Sequence, residues 1–191
     1  MYICQVMEDQ LNWYALRAFK GRVLKIKEDF EAAGYKTYMA MQIRESVRNG
    51  HRVFKEVQLV PQLLFVYCTE NALNCYKNGH FNEIMIYKNK ATNEKGEEVL
   101  VPAPIPEAQM NLFMFITSAS NSNDLEYFGA SMPLFEEGDR VIVTEGVYKG
   151  ATGFVKRIRK DRKLLVAIEG VAVIAISNIP MSCIAKSNNN H

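Results

Sequence analysis

The chain has 191 residues, 48% of them hydrophobic and 23% charged, and 23 Lys and Arg against 21 Asp and Glu leave a net charge of +2. This is the composition of an ordinary globular protein, which excludes a largely disordered chain, and the length fits one large or two small domains at about 150 residues each. No apolar run approaches the roughly 20 residues that cross a bilayer, and Glu8 and Asp9 stand where a secretory signal carries cations, so a cytoplasmic protein without a membrane partner is expected. Cys4, Cys68, Cys75 and Cys183 form no CxxC pair and no Cys/His cluster at zinc spacing, and His51, His80 and His191 lie far apart. Reduced thiols and no metal are expected. GxSxG, Walker and GxGxxG signatures are absent, so no catalytic residue and no cofactor is assigned and the chain is not read as an enzyme.

The near-neutral total conceals a segregation of charge. Arg17 to Lys55 holds ten basic and four acidic residues, Glu56 to Pro133 four and nine, and Leu134 onward nine and six. Two basic parts flank an acidic middle, a pattern that serves either a polyanionic partner or simple solvation.

In chain order, the aromatic-rich run Trp13 to Phe19 reads as a strand closed by Gly21. Val23, Ile26, Phe30 and Ala33 share one helical face, which predicts a helix over 22–33 with Gly34 as its stop. Tyr35 to Ile43 alternates as a strand, and Asn49-Gly50 predicts a hairpin turn whose arms carry Arg44, Arg48, Arg52 and Lys55. Leu59 to Cys68 is a nearly continuous apolar run, a strand buried on both faces with Pro61 near its start or at a bulge. A short helix near 70–78, a strand over Ile84 to Lys88, a connector through Pro102, Pro104 and Pro106, and a helix carrying Met110, Phe113, Met114 and Thr117 follow. The Ser/Asn/Gly-rich stretch 119–133 reads as a flexible linker. Beyond it, short β-branched runs between Gly turns predict strands rather than helix.

The fold class expected is therefore α+β. An N-terminal α/β sandwich over 11–118, an antiparallel sheet flanked by helices, precedes a small five-stranded β-barrel over 134–186.

Gly146, Tyr148, Lys149, Gly150 and Gly153 resemble the KOW motif, a glycine-centred strand-loop-strand of NusG-family transcription factors and some ribosomal proteins. The Trp13-Tyr14 strand, the amphipathic helix, the basic hairpin and the apolar strand entered through Pro61 resemble the NusG N-terminal domain, in that family's order. The resemblance implies a transcription elongation or antitermination factor, a monomer, that binds the clamp helices of the largest RNA polymerase subunit. Carried over by position, the polymerase-binding residues are Trp13, Tyr14, Arg17, Val60, Pro61 and Leu63. Strand alternation leaves open which of these are contact and which are core. Arg44, Arg48, Arg52 and Lys55 are expected to face DNA or nascent RNA, and the KOW domain to recruit a second protein, ribosomal or a termination factor. Pro61-Gln62-Leu63 replaces the Pro-Gly-Tyr of housekeeping members, and Gly146-Val147-Tyr148 replaces Gly-Pro-Phe. With the Ile184-containing ending, these departures resemble the UpxY-like paralogues of capsule-polysaccharide loci, which antiterminate their own long operons. The alternative is an RNA-binding or ribosome-associated KOW module without a polymerase role, in which the basic run Lys156 to Lys163 would meet phosphates.

Overall fold

The computed structural model describes residues 10–79, 83–93, 95–119, 125–128, 140–158, 161–168, 170–177 and 179–187. In chain order the elements are β1 (Asn12–Ala18), α1 (Val23–Ala32), β2 (Lys36–Tyr38), β3 (Met41–Arg48), β4 (His51–Gln58), β5 (Leu63–Cys68), α2 (Glu70–Gly79), β6 (Ile84–Ile86), β7 (Lys88–Thr92) and β8 (Glu98–Pro102). Then come α3 (Glu107–Ala119), β9 (Leu125–Phe128), β10 (Arg140–Val143), β11 (Thr152–Ile158), β12 (Asp161–Ile168), β13 (Ala172–Ile176) and β14 (Ile184–Lys186). They form two compact units. One draws on the chain up to Met39 and on Gln62–Glu107, the other on Ala40–Pro61 and on the chain from Ala108 onward.

The first unit is built on an antiparallel sheet in the order β2-β5-β1-β6. Because β-strand side chains alternate, the register that sets Tyr14 against Val66 and Leu16 against Leu64 gathers one set of residues on one face. Tyr14, Leu16, Ala18, Leu64, Val66, Cys68, Ile84 and Ile86 form a core with Ile26 and Phe30 of α1 and Leu73 of α2. The helix spacing read from the sequence is what delivers Ile26 and Phe30 to that face. A Schellman motif ends α1: Gly34 N–H donates to Glu31 O at 3.0 Å and Tyr35 N–H to Phe30 O at 3.0 Å. Gly34 carries the positive φ of +85° that the motif needs, and the Tyr35 ring packs edge-on against Phe30. Thr69 starts α2, its Oγ1 accepting from Ala72 N–H at 3.2 Å. The two helices are tied to each other by Tyr76 Oη, which donates to Asp29 Oδ2 at 2.6 Å, and by stacking of Tyr76 on Phe30. The hairpin of β7 and β8 completes the unit; the sequence reading ends a strand at Lys88 and takes Pro102 as the start of a connector, so this hairpin is an addition to it.

The second unit contains the β3–β4 hairpin, α3 and a six-stranded antiparallel sheet in the order β14-β10-β11-β12-β13-β9. The expected five-stranded barrel is corrected here. The sheet is open, with β14 and β9 at its edges. The physical reason lies in Leu125–Phe128, inside the stretch read as linker: it pairs with β13 from Val173↔Phe128 to Ile176↔Leu125 and takes the bonding edge a closing strand would need. Lys163 and Glu126 form an ion pair alongside this region. Of the remaining linker, 120–124 and 129–133 lie outside the described residues, as does the expected barrel start at 134–139. No helix occurs among the described residues of 140–176.

Gly153 shows why the β11–β12 pair is so close. A Cβ there would lie 2.3 Å from the Leu165 carbonyl oxygen, shorter than any real contact. Gly153→Ala is therefore expected to destabilise the protein by about 1–3 kcal/mol through strand displacement. Gly50→Ala meets open space and incurs only the strain of its positive φ, about 1 kcal/mol. Denaturant midpoints of the two variants test the order.

A second expectation concerns alkaline pH. Burial pushes the Cys68 thiol up to about 12 from 9.0, and burial followed by the hydrogen bond to Asp29 raises the Tyr76 phenol above its ordinary range. Both groups stay protonated in the folded protein while the unfolded chain releases its protons, so the stability present below about pH 9 falls as pH rises toward 12. Cys68→Ala should flatten that decline in urea titrations between pH 9 and 12. An equal slope in variant and wild type would refute the assignment.

Candidate functional site

The second face of the first sheet carries the other half of the alternation: Trp13, Ala15 and Arg17 on β1, Leu63, Phe65 and Tyr67 on β5, Lys36 and Tyr38 on β2, and Met85 on β6. It is rich in rings. Trp13 and Tyr67 lie directly opposite with centroids 5.3 Å apart, Tyr38 and Phe65 lie 6.5 Å apart, and Lys36 Nζ sits 5.9 Å from the Tyr67 centroid. Leu11, Trp13 and Tyr67 line a notch of about 460 Å³ with Pro104, Ile105 and Pro106. The sequence gives Trp13 a contact role, Tyr67 none, and Pro104 and Pro106 only that of a connector; the strand register and the Ile105 N–H to Trp13 O bond of 2.8 Å bring them together.

The six residues expected at a polymerase contact do not share one face. Tyr14 points into the α1/α2 core, whereas Trp13, Arg17 and Leu63 belong to the second face. Trp13, Tyr14, Val60 and Leu63 are buried, Leu63 at 3% exposure. Arg17 and Pro61 are exposed. The apolar strand begins at Leu63 rather than Leu59, because Pro61 and Gln62 form a turn in which Gln62 takes φ +66°. Pro before a positive-φ residue is the pattern of a type II turn, where glycine is favoured. Gln62 is held there by its own bonds: its carbonyl accepts from Ala18 N–H at 2.8 Å and its Oε1 from Arg17 Nε at 3.2 Å.

The basic hairpin has the Asn49-Gly50 turn expected of it, with φ +49° and +78° and a tight Arg48↔His51 pairing. That register distributes the four cations unevenly. Arg44 stands opposite Lys55, and Arg48 opposite His51, on one face; Arg52 stands opposite Val47 on the other, where its Nε lies 3.3 Å from Glu45 Oε1. The first face thus holds Gln42, Arg44, Ser46, Arg48, His51, Val53, Lys55 and Val57 and contains no acid. Like charges directly opposed on a strand pair are unfavourable, and the register sets Arg44 against Lys55 in that way.

In the second unit, the KOW-like residues meet in the β10–β11 connection. Lys149 N–H donates to Gly146 O at 3.1 Å, Gly150 N–H to Val143 O at 2.8 Å and Ala151 N–H to Tyr148 O at 2.9 Å. Gly146 and Gly150 have φ of +85° and +90°, Tyr148 is buried and Lys149 exposed. The basic run Lys156 to Lys163 spans the β11–β12 turn, with Lys156 opposite Lys163 and Arg157 opposite Arg162. Arg159 and Lys160, and the side chains of 156–162, lie outside the described residues.

Among known families, the model of the transcription termination factor NusG matches residues 11–114. The chain belongs to the NusG family. The match takes in both faces of the first sheet, the hairpin and most of α3, and ends before the six-stranded sheet. A NusG-family chain has a general role in transcription elongation and termination, and the family consists of transcription factors rather than enzymes. A solved structure concerned with domain interaction in Thermotoga maritima NusG is similar at 22% identity, covering 93% of this chain and 97% of that one, with a TM-score of 0.42. No curated protein matches the chain.

Gln62 offers a direct measurement at the point where this chain departs from the NusG pattern. Restoring glycine, Gln62→Gly, removes the positive-φ strain and is expected to leave stability unchanged or raise it by up to about 1 kcal/mol. A loss beyond 1 kcal/mol would show that the Arg17 bond outweighs the strain.

Proposed function

We propose that this chain is an antitermination factor that binds RNA polymerase and promotes read-through of terminators in a long operon, of the UpxY-like, surface-polysaccharide type. Family membership over residues 11–114 carries this reading, and NusG-family proteins generally bind RNA polymerase. The partner is the pair of clamp helices on the largest subunit, met by the aromatic second face of the first sheet. In that contact the exposed Arg17 and Pro61 touch the partner, with the buried Trp13, Val60 and Leu63 backing them, while Tyr14, on the α1/α2 face, serves the core; a few aromatic and aliphatic anchors with an Arg are typical of interfaces. Arg44, Arg48 and Lys55, joined by His51, lie along DNA or nascent RNA. Arg52 is the exception among the expected cations, being engaged with Glu45.

The region from 134 to 186 is the KOW domain in this reading, an open sheet in place of the barrel, recruiting a second protein such as a ribosomal protein or termination factor. The polymerase-binding role of residues 11–118, the monomeric state and the cytoplasmic location complete the proposal. The departures Gln62-Leu63 and Val147-Tyr148 support the paralogue assignment.

Reconstituted transcription through a terminator, with and without the full-length protein, tests the function; increased read-through is expected. Arg17→Glu should weaken binding to core polymerase about tenfold or more at an unchanged melting temperature. Leu63→Asp should instead collapse the melting temperature, because it buries an unpaired charge. Neutralising Arg44 and Lys55 together should reduce the salt dependence of elongation-complex binding by about two units of slope. Polymerase-free RNA binding with a steep salt dependence, and no retention by polymerase, would favour the ribosome-associated alternative.

A further inference from the structure

The hairpin has a second face that the charge argument does not use. On it the register places Phe54 opposite Glu45 and diagonal to both Ile43 and Val47, so that three apolar side chains form one cluster across the strand pair. They are open to solvent: Ile43 is 54% exposed, Val47 69% and Phe54 64%. Arg52 and Glu45 neutralise each other beside the cluster, and Glu56 is the remaining charge on the face. The two faces of one ribbon are therefore chemically opposed, one cationic and acid-free, the other apolar with a slight negative excess.

We propose that the Ile43/Val47/Phe54 face docks on an apolar protein surface of the same elongation complex, while the opposite face lies along nucleic acid. The inference rests on the polymerase-binding reading above. Charge complementarity selects the class of occupant. A phosphate backbone approaching this side would meet Glu56 and a cation already paired with Glu45, whereas on the other side it meets Arg44, Arg48 and Lys55. Size argues against a second copy of the chain. Eight residues of strand at about 3.3 Å each, with a strip roughly 10 Å wide, offer about 260 Å², against the roughly 800 Å² per partner of a stable interface. A strip of that size stabilises a complex that is already held elsewhere, which is the situation of a ribbon carried by a chain whose sheet face engages the polymerase. Docking on one side would also orient the cationic side toward nucleic acid without any change in the hairpin.

The test uses the full-length protein carrying Val47→Thr and Phe54→Thr, substitutions that keep β-propensity, and core polymerase elongation complexes titrated from low to high salt. The double variant is expected to melt with the wild type, to lose about tenfold in affinity and to keep the wild-type slope of affinity against salt. Arg44→Gln with Lys55→Gln should do the reverse, flattening the slope. Wild-type affinity in the apolar variant overturns the inference alone. A flattened slope in that variant overturns it too, by placing nucleic acid on the apolar side. Sedimentation showing a wild-type dimer that the variant abolishes assigns the face to a second copy and overturns it. Failure of the wild-type chain to bind polymerase overturns the parent reading together with this one.

Discussion

The pairing of β1 with β5, from Asn12↔Cys68 to Arg17↔Leu63, is the constraint on which the first unit depends. These are the two central strands of its sheet, and their register decides which side every neighbouring residue takes. A shift of one residue would carry Leu16, Leu64 and Val66 out of the α1/α2 core and bring Trp13, Phe65 and Tyr67 into it. The Schellman turn at Gly34 and the Thr69 cap then return each helix to the face so defined. The other side carries Trp13, Leu63 and Phe65, themselves buried, with Arg17 and Lys36 exposed at the margins.

The hairpin obeys a different constraint. Its turn is two residues long, so the pairing of Arg48 with His51 dictates every later pair, and a sequence with cations at 44, 48, 52 and 55 must divide them between faces. Isolated two-stranded ribbons are marginal in water. This one carries a like-charge pair on one side and exposed aliphatic and aromatic residues on the other.

Much of the fold was legible in the sequence, and the failures share a cause. The apolar spacing in α1, its Gly34 stop and the Asn49-Gly50 turn depend on residues within a few positions of one another and were read correctly. The strand expected from Leu59 starts at Leu63 because Gln62 adopts a backbone conformation that only glycine would have advertised. Leu125–Phe128 was hidden among Ser, Asn and Gly, since four residues are too few to show periodicity. The β7–β8 hairpin has no clear sequence signal because β7 is polar and β8 ends in Pro102. Barrel closure was a fair inference from strand count and Gly turns, yet count does not say which edges meet.

The same division holds for the candidate sites. The sequence by itself determined which residue types were available: an aromatic and aliphatic set around Trp13 and Leu63, cations on a tight hairpin, and glycines between 146 and 153, together with the helices that local spacing dictates. Only the tertiary structure decided how they were apportioned. It sent Tyr14 inward and Trp13 to the opposite face, joined Trp13 to Tyr67 across 54 positions of sequence, drew Arg52 away from the other three cations, and left Ile43, Val47 and Phe54 in solvent. The physical reason is that propensity and capping act over three or four residues, whereas strand register is settled by the burial of whole faces, a sum over contacts distant in the chain.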